Sequence, residues 1–565
     1  MNARRRLATA LIGTFAFSLS VTGCGFSLGG DDDPLEPAEA SIRLNELADE
    51  IEWQDDLVTR SASIAPPTGA NLSNTLPPID EFPVVVESRG ADDVVEVWAS
   101  TEKSGQDSDG WMTEATEVFN ESNPTLADGS SAGVDLRSIA SGTGYQFIAR
   151  GDTLPQGFSP SNELWTEMSA EFATITPISE RTVSNVAGIV MKDDKAAEIE
   201  AKYGDLNATT LVDAVLAGDL VMGYTDPFAS STGLNFLVTV LDAIAEGDEA
   251  NLTSPDVASV FEQFQRQVPF VALTTLQMRD SVESDTGTLD TFVMEWQTFT
   301  NTDTLDSGYT FIPFGAAHNN PLVGVGDLSA ADKEVLDLFG DFLQQPEWQN
   351  RSKEMGFEPA DYTPTLKTPS GSALIEAQNV WKDKKDGGRR VATVFVVDVS
   401  GSMNGSRITA LQKAMLSARE FVKPTTSVGV VEFNDKATKR MDIGKFDLNQ
   451  QAKFAAIAED LSPSGGTAMY DGIVLGLSLL DQERQTDPEV KPILVVLTDG
   501  ETTDGLEFDQ VSTMIAGLRI PVYTVGFEAD LDELSAVSSL VEAASIDASE
   551  DDVEFKIAAL FNAGG

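Results

Sequence analysis

The sequence has a single histidine, His318, and a single cysteine, Cys24, in 565 residues. One imidazole leaves almost no material for His-based catalysis or a His-rich metal site, and no nucleophile–base pair is recognisable, so the chain does not read as an enzyme. In Ala317-His318-Asn319-Asn320 the lone histidine reads as a loop residue. One cysteine excludes an internal disulfide, so the domains must rely on their cores. Basic residues are scarce too: 37 Lys and Arg stand against 91 Asp and Glu, a net charge of −54. This balance argues against nucleic-acid binding, which needs clustered cations to neutralise phosphate. It also repels an anionic lipid surface wherever no anchor holds the chain. Beyond the first 24 residues no stretch approaches 18 uninterrupted apolar residues, so nothing else reads as a membrane span. The hydrophobic fraction is an ordinary 41%, and the length calls for two or three domains.

What is present begins with an export signal. Arg4, Arg5 and Arg6 form a basic start, residues 7–21 an apolar stretch, and the segment closes on Val21-Thr22-Gly23-Cys24. That ending resembles a bacterial lipobox, with Val21 where such sequences prefer Leu. The resemblance implies that residues 1–24 are a lipoprotein signal peptide and that Cys24 carries the lipid. The mature chain would then be lipid-anchored at the cell membrane, facing the extracytoplasmic side. Residues 25–91 turn to acids, Pro, Ser and Gly and read as a largely extended acidic tether. Within it, Leu44, Leu47, Ile51 and Trp53 make Ser41 to Leu57 a short candidate docking helix.

The most informative stretch is Val394-Phe395-Val396-Val397-Asp398-Val399-Ser400-Gly401-Ser402. A Val-rich run without charge reads as a strand buried on both faces, at the centre of a parallel sheet. It ends in an acid and two hydroxyls, where open α/β sheets hold their ligands. Oxygen donors alone suit a hard cation such as Mg2+ (or Mn2+). Two further pieces follow in order: Thr467 in Ser464-Gly465-Gly466-Thr467, and Asp499 at the end of the buried run Ile493 to Thr498. Asp and Ser at such ends also serve as helix caps, but the full set resembles the von Willebrand factor type A family with its metal-ion-dependent adhesion site. The resemblance implies that Ser400, Ser402 and Thr467 bind the metal through hydroxyls and that Asp398 and Asp499 act partly through water. It leaves one coordination position for a Glu or Asp of a protein partner. Residues 391–565 are then a complete, doubly wound, mostly parallel α/β domain, with one apolar helix face on Ile408, Leu411, Met415, Ala418 and Val422.

Between tether and adhesion domain, strand and helix patterns alternate, as in parallel α/β sheets. Val94 to Ser100 reads as a strand, Ser141-Gly142-Thr143-Gly144 starts a helix, and Asp226-Pro227 precedes Ser230-Ser231-Thr232-Gly233. Ser254 with Pro255, and Ser329 with Asp332, are helix-start signals. These features resemble a type 2 periplasmic solute-binding protein, which implies a two-lobed α/β domain at 92–368, with chain crossings placed near residues 182 and 308. Hydroxyls and amides at helix starts make a physically sensible anion cradle, so Ser100, Ser141, Thr143, Ser231 and Thr232 are candidate contacts to a small solute; each also reads as a helix cap. Residues 369–390, locally basic from Lys382 to Arg390, read as a solvated linker.

The expected function is a lipid-anchored surface protein that binds a protein partner through a divalent cation and carries a solute-binding-like module. The alternative is a transport receptor that delivers a small, anionic solute to a membrane permease, with the adhesion domain as an accessory.

Overall fold

The uniformly apolar run before Asp398 forms the central strand of a seven-stranded sheet, with every residue from Val391 to Asp398 buried. The computed structural model describes residues 34–563 apart from 67–70, 284–288, 306, 359–361, 501, 528–530 and 542. Cys24 and the expected signal peptide lie outside the described residues. In chain order the strands are β1 (Trp53–Asp55), β2 (Val84–Val86), β3 (Asp93–Ala99), β4 (Ala132–Ser138), β5 (Gly157–Ser159), β6 (Ile175–Ser179), β7 (Asn185–Lys192), β8 (Met222–Thr225) and β9 (Phe270–Ala272). They continue with β10 (Thr291–Glu295), β11 (Tyr309–His318), β12 (Leu322–Val325), β13 (Val391–Asp398), β14 (Ser427–Phe433), β15 (Ala437–Lys445), β16 (Lys491–Thr498), β17 (Val522–Phe527) and β18 (Ser545–Ala548).

Three sheets result among the described residues. The carboxyl-terminal sheet has the order β1-β15-β14-β13-β16-β17-β18. Its β14, β13, β16, β17 and β18 run parallel, and β15 returns antiparallel to β14. Helices Ser406–Phe421 and Met469–Thr486 bury apolar side chains against it. The two remaining sheets, β2-β4-β3-β5-β12-β6 and β11-β7-β10-β8-β9, form two α/β lobes. The first crossing between lobes lies between β6 and β7, at residues 180–184, where the sequence placed it. The second falls between β11 and β12, at 319–321, and not near 308. The ten-residue β11 begins at Tyr309 and pairs with β7 before the chain leaves the lobe.

The expected tether is, from Pro34 on, a strap packed onto the rest of the chain. Ala40, Leu44 and Leu47 of the helix Pro37–Glu50 are fully buried, in one core with side chains of helices Met469–Thr486 and Phe508–Leu518. The strap comes close enough that a Cβ at Gly517 would lie 2.3 Å from the carbonyl oxygen of Leu35. β1 then adds in parallel to β15, although all three of its side chains are exposed. Val58 N donates to Arg440 O at 2.9 Å, and Ala62 N to Ala452 O at 2.9 Å. Arg60 pairs with Glu459 and Asp460. Farther on, Leu76 joins the core of the lobes and β2 pairs with β4. The candidate docking helix is thus present as Pro37–Glu50, with Leu44 and Leu47 buried, while the segments after it are held largely by backbone bonds and the Arg60 pairs, which an acidic, Pro-rich composition does not reveal.

Leu44→Ala should cost about 2 to 5 kcal/mol, the usual range for truncating a buried leucine. Denaturant unfolding of the full chain checks this, and an unchanged midpoint would contradict the packing.

The expected linker is likewise structured. Ser370 caps the helix Gly371–Lys384 by accepting from Ala373 N, and Leu374, Ala377 and Trp381 are fully buried. Trp381 Nε1 donates to the Tyr224 hydroxyl at 2.7 Å, and Lys385 Nζ donates to Phe561 O at 2.8 Å. The basic run is therefore a joint between the lobes and the carboxyl-terminal domain. Asn562 completes the joint, donating toward both carboxylate oxygens of Asp226 at 3.3 and 3.4 Å.

Candidate functional site

β13 and β16 are adjacent and parallel, so the acids at their carboxyl ends are brought to the same edge of the sheet. Asp398 is buried, and both of its oxygens are engaged by neutral donors: Ser400 N reaches Oδ1 at 2.7 Å and the Thr498 hydroxyl reaches Oδ2 at 2.6 Å. Burial pushes its carboxyl above the usual range, against the pull of those hydrogen bonds. The Ser400 and Ser402 hydroxyls are 2.9 Å apart, and Ser402 Oγ donates to Asp499 Oδ1 at 2.9 Å. A hydroxyl that gives its proton to a carboxylate keeps its lone pairs for a cation. Arg407 Nη1 lies 2.8 Å from Asp499 Oδ2.

The glycine-rich loop is fixed beside this chain of bonds. Gly401 N donates to Gly465 O at 3.0 Å and Ser464 N to Val399 O at 2.7 Å. Thr467 joins that loop to the one after Asp499: its amide donates to the Thr503 hydroxyl at 2.9 Å, and its carbonyl accepts from Thr503 N at 2.9 Å. Asp398, Ser400, Ser402 and Asp499 are thus linked directly, with Thr467 on the adjoining loop. Among the described residues no group of three or more His, Cys, Asp or Glu side chains is arranged to hold a metal. A cation here would draw on two acids and three hydroxyls, an oxygen-only set that fits a hard divalent ion.

The solute candidates lie where the two lobes meet. There Gly142 N donates to Ala229 O at 3.0 Å, and a Cβ at Gly142 would come within 2.0 Å of Phe228 O. The lobes therefore touch backbone to backbone. Four of the five candidate hydroxyls are engaged by the protein itself. Ser100 Oγ accepts from Lys103 Nζ at 2.7 Å, Ser141 Oγ from Ser161 N at 3.3 Å and Ser231 Oγ from Trp165 Nε1 at 2.9 Å, while Thr232 Oγ1 donates to Glu295 at 3.3 Å. Thr143 is buried in the first turn of the helix Ser141–Arg150.

Fully buried Lys103 also donates to Ser159 O at 2.7 Å, Asn320 Oδ1 at 3.0 Å and Pro160 O at 3.3 Å. Burial lowers its ammonium, while neighbouring Glu102 and Glu295 act the other way; burial and Glu295 together raise Glu102. His318, expected in a loop, is the last residue of β11 and fully buried. Its ring contacts Glu295 at 2.9 Å, Asn235 at 3.1 Å and Asn162 at 3.2 Å. These partners come from distant segments, so no local pattern marked it.

Residues 393–555 match the family model of the von Willebrand factor type A domain. The carboxyl-terminal part is a von Willebrand factor type A domain. Inter-alpha-trypsin inhibitor heavy chain H1 of Mesocricetus auratus is 35% identical over 152 residues, 25% of this chain and 16% of that protein. Heavy chain H1 of Homo sapiens is 29% identical over 149 residues, again 25% and 16%. The chain thus spans about a sixth of the length of these relatives. Among solved structures, a von Willebrand factor type A protein from Catenulispora acidiphila aligns with TM-score 0.27 and 19% identity, over 30% of this chain and 42% of that one. The periplasmic binding protein P5PA aligns with TM-score 0.37 and 10% identity, over 52% of this chain and 99% of that one. For the sulfate-binding protein SubI of Mycobacterium tuberculosis H37Rv the TM-score is 0.32 and the identity 13%, over 50% and 96%.

Sequence reasoning missed three residues that shape these sites. In the type A domain they are Arg407, which pairs with Asp499, and Thr498, which reads as part of a buried strand. In the lobes it is Lys103. Arg407 does leave a signal: a cation in the first turn of a helix opposes the helix dipole and calls for a local acid.

Proposed function

We propose that this chain is a lipid-anchored surface protein whose type A domain binds a protein partner through a divalent cation, Mg2+ (or Mn2+). The reading is carried by the hydrogen-bonded series Asp398, Ser400, Ser402, Asp499 at two adjacent strand ends. Ser400, Ser402 and Thr467 would hold the ion by their hydroxyls, with Asp398 and Asp499 as its countercharges. Bound there, the cation supplies a Lewis acid that accepts a Glu or Asp carboxylate of the partner. The residues contribute fixed positions: short bonds from Ser400 N and Thr498 immobilise Asp398, and the Gly401–Gly465 bond fixes the approach of the Thr467 loop. The two-lobed part then serves as a body that joins anchor and adhesion domain. The transport-receptor alternative draws less support, because the hydroxyls proposed for a solute are engaged by Lys103, Ser161, Trp165 and Glu295.

Capture on the immobilised full chain in Mg2+, followed by elution with EDTA, tests the binding function. A protein released by EDTA supports it, whereas an identical retained set with and without Mg2+ contradicts it. The anchor has a separate test. Cys24→Ala should move the protein from the membrane fraction to the soluble fraction, since a chain of net charge −54 is repelled by anionic lipid. Unchanged membrane association would count against lipidation at Cys24.

A further inference from the structure

Resting on the reading of this site as a cation site, we propose that Arg407 sets its affinity, by holding Asp499 in an internal ion pair that competes with a divalent cation for the carboxylate's charge. The two acids of the site are not equivalent. Asp398 is satisfied by a backbone amide and a hydroxyl, both neutral. Asp499 takes one hydroxyl, from Ser402, and one full positive charge, from Arg407 at 2.8 Å. The Asp499 side chain is only 3% exposed, whereas the Arg407 side chain is 31% exposed. Water therefore screens the pair weakly on the acid side, and the arginine keeps a way out to solvent.

Position supports the assignment. Arg407 is the second residue of the helix Ser406–Phe421, where the helix dipole disfavours a cation. Its contact with Asp499 compensates for that. Because a guanidinium stays protonated at every physiological pH, the competition from Arg407 is permanent. A divalent ion that draws on Asp499, directly or through water, competes with Arg407 for its charge, which lowers occupancy until the ion is abundant. The site then fills only where divalent cations are plentiful.

The test is calorimetric titration of the full chain with Mg2+ and separately with Mn2+, for the wild type, Arg407→Ala and Arg407→Gln. Both variants should bind each ion about tenfold or more tightly, the scale of one lost charge competitor, and Arg407→Lys should lie between them and the wild type. Arg407→Gln keeps the length and polarity of the side chain and serves if the alanine variant does not fold. Affinity equal to or below that of the wild type in a folded variant overturns the role of Arg407. If that happens while Asp398→Ala abolishes the heat, the cation site stands and only this inference falls. No heat from either ion in the wild type or any variant overturns the cation site and this inference with it.

Discussion

Ser400→Ala is expected to abolish cation-dependent partner binding while leaving the fold intact. Ser400 lies beyond the end of β13, and its hydroxyl meets Ser402 at 2.9 Å and also bonds to the Asp398 carboxylate. The backbone bond from Ser400 N to Asp398, which orders the loop, survives the change. The stability cost is that of two ordinary hydrogen bonds, about 1 to 3 kcal/mol. Binding loses a metal ligand that no neighbour can replace, because Asp398 is held by Ser400 N and Thr498 and Asp499 by Ser402 and Arg407. A drop of at least about 100-fold in partner capture is therefore expected, equal to roughly 2.7 kcal/mol, with a melting curve close to the wild type. Undiminished capture by Ser400→Ala would remove that hydroxyl from the site.

The second large effect is expected in the two-lobed part. Lys103→Met should destabilise the protein by about 3 to 5 kcal/mol, the range for breaking a buried charge arrangement by removing one partner. The ammonium is fully buried, donates to four oxygens and stands near Glu102 and Glu295. Taking it away leaves the acids without their countercharge and the acceptors without a donor. Adding Glu102→Gln removes one stranded charge, so the double variant should regain part of the loss. Chemical denaturation of the four proteins gives the coupling directly. If the two losses simply add, the acid and the ammonium are not energetically linked.

How much of this was legible depended on whether a feature advertises itself through side chains. β13 and β16 did, because strands buried on both faces must be apolar throughout, and the acid at each end then stands out. The helix starts at Ser254 and Ser329 were legible too: both hydroxyls accept from the amide three residues on. The strap was not. β1 exposes all three side chains and is held by its backbone, which leaves no mark on composition. The helix Gly371–Lys384 hid for a different reason. Leu374, Ala377 and Trp381 recur at three and four, but Lys382, Asp383 and Lys384 crowd its last turn and made the whole segment look solvated. At the metal-type site the five oxygen-bearing residues came from the family resemblance, whereas the Arg407–Asp499 contact joins residues 92 apart in sequence. At the seam between lobes, the hydroxyls were found but their partners were not: Trp165 and Glu295 reach Ser231 and Thr232 from distant segments, while Lys103 bonds Ser100 from three residues away.

The most direct measurement is adhesion of cells that display the full chain, compared with cells that display Asp398→Ala, in Mg2+, in EDTA, and in EDTA followed by restored Mg2+. Asp398 carries one of only two formal charges expected to hold the ion, and burial places it where no solvent charge can substitute. The wild type should adhere in Mg2+, release in EDTA and adhere again on restoration, while Asp398→Ala should fail under all three conditions. Adhesion that survives both EDTA and Asp398→Ala would contradict a cation-dependent binding site at this sheet edge.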